Sequence, residues 1–377
     1  MNTEPKATER IDLTLEKRLQ KILGEIDWLG PIEVFRSPAT YGREFDLLVR
    51  FTPRTGKTVE LWIECKDLPR PSMFPYVPLE TSFFEDGAKA PRVPTLAAPI
   101  VTKRMAEICK AHNWSWIDLA GNFSISVPGT IYLEKTGRRP VHSRPKPVAN
   151  LSTDESARIL RTLLVPENFE KQWTQRSLQD ACAPKVSLGK VNSLVSHLRD
   201  QAYIEIKTSG GFQLKDPTAL LREWREAYKT TEDRKISCYS ILSSREIASR
   251  VGELNRYMGN TSVVSSLASF TAAEVIAPHV RQPRTWLYSR PENVTELKKA
   301  LEAKEVQSGA NLMILQASDD GVFFMPSRTE DGTPVTNPLQ TYLDLWSGGS
   351  RGEEAADAIF NQVLKPGWRS TAAAIFE

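Results

Sequence analysis

Asp46, Glu64 and Lys66 combine two carboxylates with a lysine at a spacing that paired β-strands bring together. Residues 45–51 and 59–66 alternate apolar and polar side chains, as strands do, and if partners are residues whose numbers sum to 110, Asp46 lies opposite Glu64. Like charges about 5 Å apart destabilise such a pair unless a cation or a shared proton intervenes. Two hard oxygen ligands suit Mg²⁺ or Mn²⁺ and leave coordination positions for phosphate and water. The spacing therefore leaves a divalent cation and a shared proton as two ways to relieve the repulsion between Asp46 and Glu64.

The rest of the hairpin agrees with this register. A turn centred on Thr55 sets Arg50 opposite Glu60 as an opposite-charge pair and Leu48 opposite Trp62 as an apolar pair. Every pair on the other face is apolar: Phe51 with Val59, Val49 with Leu61, Leu47 with Ile63, and Phe45 with Cys65. That face is predicted to belong to the core.

Asp46 followed by Glu64-Cys65-Lys66 resembles the PD-(D/E)XK nuclease superfamily. The resemblance implies a restriction-endonuclease-like α/β fold, a divalent metal held by Asp46 and Glu64, and a water activated with the help of Lys66. An amphipathic helix that ends before Gly30 and a second helix predicted over 99–112 fit the αβββαβ order of that fold.

The segment that follows Lys66 departs from the superfamily pattern. It contains Pro69, Pro71, Pro75, Pro78, Pro91 and Pro94, and it is predicted to be a long irregular excursion. An active nuclease and a relic hairpin neutralised by Lys66 both remain open.

Composition divides the chain into three modules. A Pro-rich basic linker over 136–150 separates the nuclease-like domain, 1–135, from a middle module, 151–230. A break near residues 230–235 precedes a carboxyl-terminal α/β module, 236–377. The expected fold class is therefore multidomain α/β.

Positive charge is concentrated in the middle of the chain. Residues 135–216 contain 14 basic and 8 acidic side chains, a net charge of +6, whereas the whole chain carries +3. This distribution favours a nucleic-acid-binding module, although a solvated basic linker shows the same excess. No apolar run approaches a membrane span, and the polar amino terminus is unlike a signal peptide, so a cytoplasmic location without membrane contact is expected. The four scattered cysteines support neither a disulfide framework nor a zinc module.

Residues 151–230 are predicted to fold as a winged helix-turn-helix that binds double-stranded DNA. Caps at Ser152 or Thr153, at Thr174 and at Ser187 begin three helices, and strands at 203–207 and 212–215 form the wing. The third helix of such a fold enters the major groove. Its predicted buried stripe is Leu188, Val191, Val195 and Leu198. The expected DNA-binding residues are Lys185, Ser187, Lys190, Asn192, Ser193 and His197 at this helix and Arg138, Arg139 and Arg144 in the linker. A protein–protein role for the same fold is the alternative.

The third module is predicted to contain helices at 244–258 and 292–304 and strands at 285–288, 311–316 and 322–325. Asp319-Asp320-Gly321 lies between two apolar segments, and it is interpreted as a hairpin turn rather than an acidic metal site. Asp118, before the Gly121-Asn122 turn, is likewise given a structural role.

Four phrases together resemble the AbiE-type antitoxin family of transcriptional regulators, from bacterial abortive-infection and type IV toxin–antitoxin systems. They are WIDLAGN (116–122), SDDGVFF (318–324), NPLQTYLDLW (337–346) and RGEEAAD (351–357). The resemblance spans about residues 100–365. It implies a DNA-binding repressor, often of its own operon, that takes part in phage defence and counters a nucleotidyltransferase-type toxin. No cofactor is expected for DNA binding. The alternative is a Mg²⁺-dependent DNA nuclease that the winged helix targets.

Overall fold

The computed structural model describes residues 7–36, 38–40, 43–54, 56–76, 90–127, 129–139, 149–228, 235–258, 262–279 and 282–369. The chain forms two compact units, residues 1–147 and residues 148–377. None of the helices in the described ranges is long and apolar enough to cross a membrane.

The first unit is built on a mixed seven-stranded sheet in the order β1-β4-β5-β6-β7-β8-β9, with a separate β2-β3 ribbon. Its elements are α1 (Ala7–Gly24), β1 (Ile32–Arg36), β2 (Ala39–Thr40), β3 (Arg43–Glu44), β4 (Leu47–Phe51), β5 (Val59–Cys65), β6 (Arg92–Ala98), α2 (Lys103–Ala111), β7 (Ser115–Asp118), β8 (Phe123–Val127) and β9 (Ile131–Lys135). Leu19 and Leu23 of α1 are fully buried and share a core with β4 and β5. The amphipathic stripe predicted for this helix is thereby explained by burial against the sheet.

The β4–β5 ladder has the predicted register. Phe51 pairs with Val59, and the pairing continues to Leu47 with Ile63, so every pair sums to 110. The ladder ends there, and Asp46 lies in a bend one residue before β4, so the predicted pairing of Asp46 with Glu64 is not part of the ladder. The predicted Phe45–Cys65 pair is therefore wrong, because Phe45 packs on the opposite face against Trp62, with ring centroids 5.5 Å apart.

The segment after Lys66 is more regular than predicted where the structure describes it. Residues 71–76 form a 3₁₀ helix, and β6 runs parallel to β5, with Pro94 inside it. The strand accommodates Pro94 because β6 pairs with β7 only from Thr95 onward. Pro78 lies outside the described residues. The helix predicted over 99–112 is α2, and it begins later because Thr102 caps it. Because β6 follows β5 and precedes α2 along the chain, the element order departs from αβββαβ.

The second unit begins with helices and a hairpin and continues into another mixed sheet. The first part comprises α3 (Asp154–Leu164), α4 (Gln175–Ala181), α5 (Leu188–Asp200), β10 (Ile204–Ile206), β11 (Phe212–Leu214) and α6 (Pro217–Ala227). The second part comprises β12 (Lys235–Tyr239), α7 (Ser244–Met258), β13 (Ser265–Leu267), α8 (Ser269–Ile276), β14 (Thr285–Ser289), α9 (Val294–Ala300), β15 (Lys304–Glu305), β16 (Leu312–Gln316), β17 (Ser327–Arg328), β18 (Pro334–Val335), α10 (Pro338–Trp346), α11 (Ser350–Ile359) and, after a π-helical turn, α12 (Lys365–Gly367). The sheet order is β15-β12-β16-β14-β13-β18-β17.

Side-chain caps begin the first three helices of this unit. Thr153, Thr174 and Ser187 each accept a hydrogen bond from the backbone N–H three residues ahead. At Thr174 the bond is reciprocal, because the Ser177 hydroxyl also accepts from the Thr174 N–H. These starts are the predicted ones, and Thr153 rather than Ser152 is the first cap.

One apolar core extends across the predicted boundary between the middle and third modules. Leu160 and Trp224 belong to the same buried cluster as Phe270, Leu339 and Tyr342. Residues 149–228 and the residues from 235 onward therefore belong to one compact unit.

Two predictions for the third module are wrong. Residues 320–323 form a 3₁₀ helix capped by Asp319, so no strand covers 322–325 and Asp319-Asp320-Gly321 is no hairpin turn. The helix predicted over 292–304 is shorter: α9 ends at Ala300, and Lys304 already belongs to β15. In the first case the capping hydrogen bond of the buried Asp319 outweighs the preference of Asp-Gly for a hairpin turn.

Candidate nucleic-acid interface and acidic hairpin

The amino-terminal end of α5 presents polar side chains to solvent. Lys185, Ser187 and Asn192 are exposed, and Lys190 and Ser193 are half-buried. Two of these side chains are hydrogen-bonded to residues outside α5. Lys190 Nζ donates to Thr153 Oγ1 at 2.9 Å, and Gln175 Nε2 of α4 donates to Asn192 Oδ1 at 3.0 Å.

Two residues of α5 face the other way from the prediction. His197 is buried, with Nε2 3.5 Å from Glu223 Oε1, so it packs against α6 and is not an outward DNA-binding residue. Leu188 is 40% exposed rather than buried, and Leu194 takes its place in the core. Both errors arise because α5 is packed on two sides, by α3 and by the elements after it, so a single stripe does not describe its buried face.

The turn before α5 is held in place by Arg158 of α3 and Gln179 of α4. Arg158 Nη1 donates to the Lys185 carbonyl at 3.3 Å, and Gln179 Nε2 donates to the Val186 carbonyl at 3.0 Å. The same Arg158 guanidinium binds both carboxylate oxygens of Asp319, and Nε lies 2.9 Å from Oδ2. This ion pair raises the pKa of Arg158. Asp319 thus supports the turn through one intervening side chain, a connection for which the sequence offers no local signal.

A second buried polar cluster joins α3 and α6 to α10. Arg161 Nε donates to Gln340 Oε1 at 2.8 Å, and Gln340 Nε2 donates to Asp344 Oδ1 at 2.7 Å and to the hydroxyl oxygen of Tyr228 at 2.8 Å. The Tyr288 hydroxyl also donates to Asp344. Burial raises the pKa of Asp344 to about 7 and that of Tyr228 to about 12. The cluster fixes the orientation of α3 relative to α10.

Arg138, predicted to contact DNA, belongs to the first unit, and its backbone is hydrogen-bonded to Asn122 there. Asn122 accepts from the Arg138 N–H at 2.8 Å and donates to the Arg138 carbonyl, while Asp118 accepts from the Asn122 amide. Gly121 has a φ of +87°, and a β-carbon there would lie 2.8 Å from Arg138 Nη1, which explains its glycine. The structural role predicted for Asp118 agrees with these bonds. Arg139 is exposed, and Arg144 lies outside the described residues.

The acidic hairpin satisfies much of its charge locally. Asp46 Oδ2 accepts from the Cys65 N–H at 2.6 Å, and Glu64 Oε1 lies 2.8 Å from Lys66 Nζ. The Arg50–Glu60 pair is present as predicted, with 2.8 Å between Nη2 and Oε1. Over the described ranges, no group of three or more His, Cys, Asp or Glu side chains could hold a metal ion.

Residues 213–365 match the model of a family described as "Transcriptional regulator, AbiEi antitoxin, Type IV TA system". This part of the chain is similar to that family. The match confirms the predicted resemblance over these residues, which make up less than half of the chain. The AbiEi-type region (residues 213–365) contains three of the four phrases, and WIDLAGN lies outside it. No curated protein and no solved structure matches the chain.

The three phrases have identifiable structural roles. SDDGVFF supplies Asp319 to Arg158, and NPLQTYLDLW supplies Gln340 and Asp344 to the buried cluster. In RGEEAAD, a β-carbon at Gly352 would lie 2.2 Å from the Leu345 carbonyl oxygen, so glycine permits α11 to approach α10. Side chains of the AbiEi-type region therefore bind Arg158 and Arg161 of α3, a helix that precedes the matched residues.

Proposed function

We propose that this protein is a DNA-binding transcriptional repressor of the antitoxin type, acting on the promoter of its own operon and countering a partner toxin. The family of residues 213–365 supports a regulator with antitoxin function. Binding to double-stranded DNA is inferred from residues 151–215, which lie almost entirely before the matched region. A nucleotidyltransferase-type toxin is the partner that the resemblance implies.

The observation that carries the proposal is the order of elements in residues 154–214. Three helices are followed by a two-stranded hairpin, and Trp173, before α4, forms an antiparallel bridge with Phe212 of β11. Both backbone bonds of the bridge are short, 2.7 and 2.8 Å between nitrogen and oxygen. This order of elements supports a winged helix-turn-helix, in which α5 would be the recognition helix and residues 207–211 the tip of the wing.

The chemistry of the α5 surface suits DNA. Lys185 and Lys190 supply two positive charges and Ser187 a short polar group at the amino-terminal end of the helix, where backbone N–H groups and the helix dipole also favour phosphate. Arg176 on α4 and Lys215 after the wing are also exposed, and they add positive charge. The surface is open to a major groove, since none of these side chains is in the core.

A promoter reporter tests the proposal in cells. The DNA upstream of the native operon drives the reporter, and the full-length protein is supplied from a separate plasmid. We expect repression by the wild type, loss of repression by Lys185→Glu, and retention by Lys299→Glu, which reverses an exposed lysine on α9. Unchanged reporter output with the wild-type protein would remove the regulatory proposal. The antitoxin part is tested separately, by comparing the growth of cells that express the toxin gene of the same operon with and without this protein.

A Mg²⁺- or Mn²⁺-dependent DNA nuclease is the second candidate. It is supported by the hydrogen bonds that Asp46 makes with Ile63 and Cys65, the two residues that flank Glu64, and by the contact of Lys66 with Glu64. In that case Asp46 and Glu64 would hold the metal and Lys66 would assist the attacking water. Plasmid cleavage in Mn²⁺ that disappears in both Asp46→Ala and Lys66→Ala would establish this activity, and intact plasmid in every sample would exclude it.

A further inference from the structure

Asn192 lies on the exposed face of α5, and its carboxamide is oriented by a second helix. The residue is in the second turn after the Ser187 cap, the part of a recognition helix that reaches base edges. Gln175 Nε2, at the start of α4, donates to Asn192 Oδ1 at 3.0 Å. A side chain fixed in this way loses less conformational freedom on binding than a free surface asparagine.

We propose that Asn192, positioned by Gln175, recognises adenine in the major groove, and that Leu188 contacts the methyl group of a neighbouring thymine. This inference rests on the proposed DNA-binding function and names the base pair that α5 distinguishes. The ligand is an A·T-containing step of duplex DNA. Gln175 acts as a positioning residue, because it binds the reading side chain.

The hydrogen-bonding capacity of Asn192 fits adenine. A carboxamide oxygen accepts two hydrogen bonds, so the bond from Gln175 leaves one for the adenine N6 amino group. The Asn192 Nδ2 group then donates to adenine N7, which completes the two-bond pairing of asparagine with adenine. Guanine presents acceptors at both N7 and O6, so it cannot donate to Asn192 Oδ1, and an A·T pair is favoured over G·C.

Contact with a thymine methyl group would explain why the apolar side chain of Leu188 is exposed beside this amide. It is 40% exposed and lies four residues before Asn192, on the same face of α5. Residues so spaced have Cβ atoms about 5–6 Å apart, which spans one or two base pairs at about 3.4 Å each. The thymine C5-methyl is the apolar group that the major groove offers. Gly189, between the two, adds no side chain to block the approach.

The inference is tested by selecting sequences with the full-length protein from a pool of random duplexes. In the enriched sequence, adenine is replaced with 7-deazaadenine, which lacks N7, and thymine with deoxyuridine, which lacks the methyl group. We expect wild-type affinity to fall about tenfold with 7-deazaadenine at one position and about threefold with deoxyuridine at a nearby one. Asn192→Ala should lose the first sensitivity, and Leu188→Ala the second.

Gln175 has a readout that general destabilisation would not move. Gln175→Ala should reduce discrimination at the adenine that Asn192 recognises and at no other position, and the double variant with Asn192→Ala should be no worse than Asn192→Ala alone. Gln307→Ala, an exposed glutamine after β15, is the matched control and should keep the wild-type preference.

The failures of the two proposals can be told apart. Absence of any DNA binding by the wild type would overturn the proposed function together with this inference. Binding by the wild type with no enriched A·T pair, or with 7-deazaadenine sensitivity that persists in Asn192→Ala, would overturn the inference alone.

Discussion

The hairpin of the first unit and the contact between α3 and the AbiEi-type region use the same chemical groups at very different sequence separations. On the hairpin, Arg50 pairs with Glu60, ten residues away, and Glu64 with Lys66. In the second unit, Arg158 pairs with Asp319, 161 residues away, and Arg161 with Gln340, 179 residues away. Pairs of the first kind stabilise one local element, whereas pairs of the second kind fix one part of a unit on another.

The two regions also differ in burial. The Arg50 and Lys66 side chains are 40% and 50% exposed, so water can replace their partners. Asp319 is 6% exposed, and Arg161 is 2% exposed, so neither has that alternative. Loss of the partner should therefore be costly for Asp319 and Arg161 and nearly neutral for Arg50 and Lys66.

The largest expected effect is that of Asp319→Ala. It removes both carboxylate oxygens from Arg158 and the cap from the 3₁₀ helix at Gly321, where Asp319 Oδ1 accepts from the backbone N–H at 2.8 Å. We expect the free energy of unfolding of the second unit to fall by about 2–4 kcal/mol in urea titrations. Asp320→Ala is the adjacent control, since Asp320 is 43% exposed and pairs with Arg290, and about 1 kcal/mol or less is expected. Equal losses for the two variants would contradict the contrast.

Asp344→Asn is expected to have an intermediate effect that depends on pH. The pKa of Asp344 is about 7 in the folded protein, against about 3.9 in an unfolded chain, so the folded state binds the proton more tightly. The wild type should therefore lose stability relative to the variant as pH rises from 4 to 7, with no further divergence above about 8. Asparagine retains an oxygen that accepts from Tyr288 and Gln340. Urea titrations at pH 5 and pH 8 should show the variant gaining on the order of 2 kcal/mol between them, and a constant difference would be inconsistent with the raised pKa.

The smallest effect is expected at the acidic hairpin. Asp46→Asn keeps an oxygen that accepts from the Cys65 N–H and removes a charge near Glu64, so the melting temperature should change by less than about 2 °C. If the hairpin is a relic, Mn²⁺ leaves the wild-type melting temperature unchanged. A rise that depends on Mn²⁺ concentration and is lost in Asp46→Ala would instead show a metal site.

Strand alternation predicted the hairpin except for the two pairs at its open end, Asp46 with Glu64 and Phe45 with Cys65. Five pairs have the predicted register because a one-residue slip would turn the whole apolar face to solvent. The end of the ladder was not predictable, because the bend at Asp46 moves Phe45 to the Trp62 face. Capping residues likewise predicted the starts of α3, α4 and α5, since each bond reaches only three residues.

Long-range contacts account for the rest. Nothing near Asp319 in the sequence distinguishes an aspartate that will meet Arg158 from one that begins an Asp-Gly turn. Similarly, His197 has the spacing of an outward residue until Glu223 of α6 covers it. The contact of Gln175 with Asn192 was not predicted, because a position directly after a Thr cap marks the start of a helix and not the helix that it faces.

The central claim, that α5 binds duplex DNA, is tested most directly by measuring the affinity of the full-length protein for labelled promoter DNA as salt concentration is varied. We expect affinity to fall steeply between about 50 and 200 mM salt, because lysine and arginine contacts to phosphate release counterions. Lys185→Glu should weaken binding at least about tenfold and flatten the slope, while Lys299→Glu should match the wild type. Affinity that is independent of salt, or equal in wild type and Lys185→Glu, would contradict DNA binding by this helix.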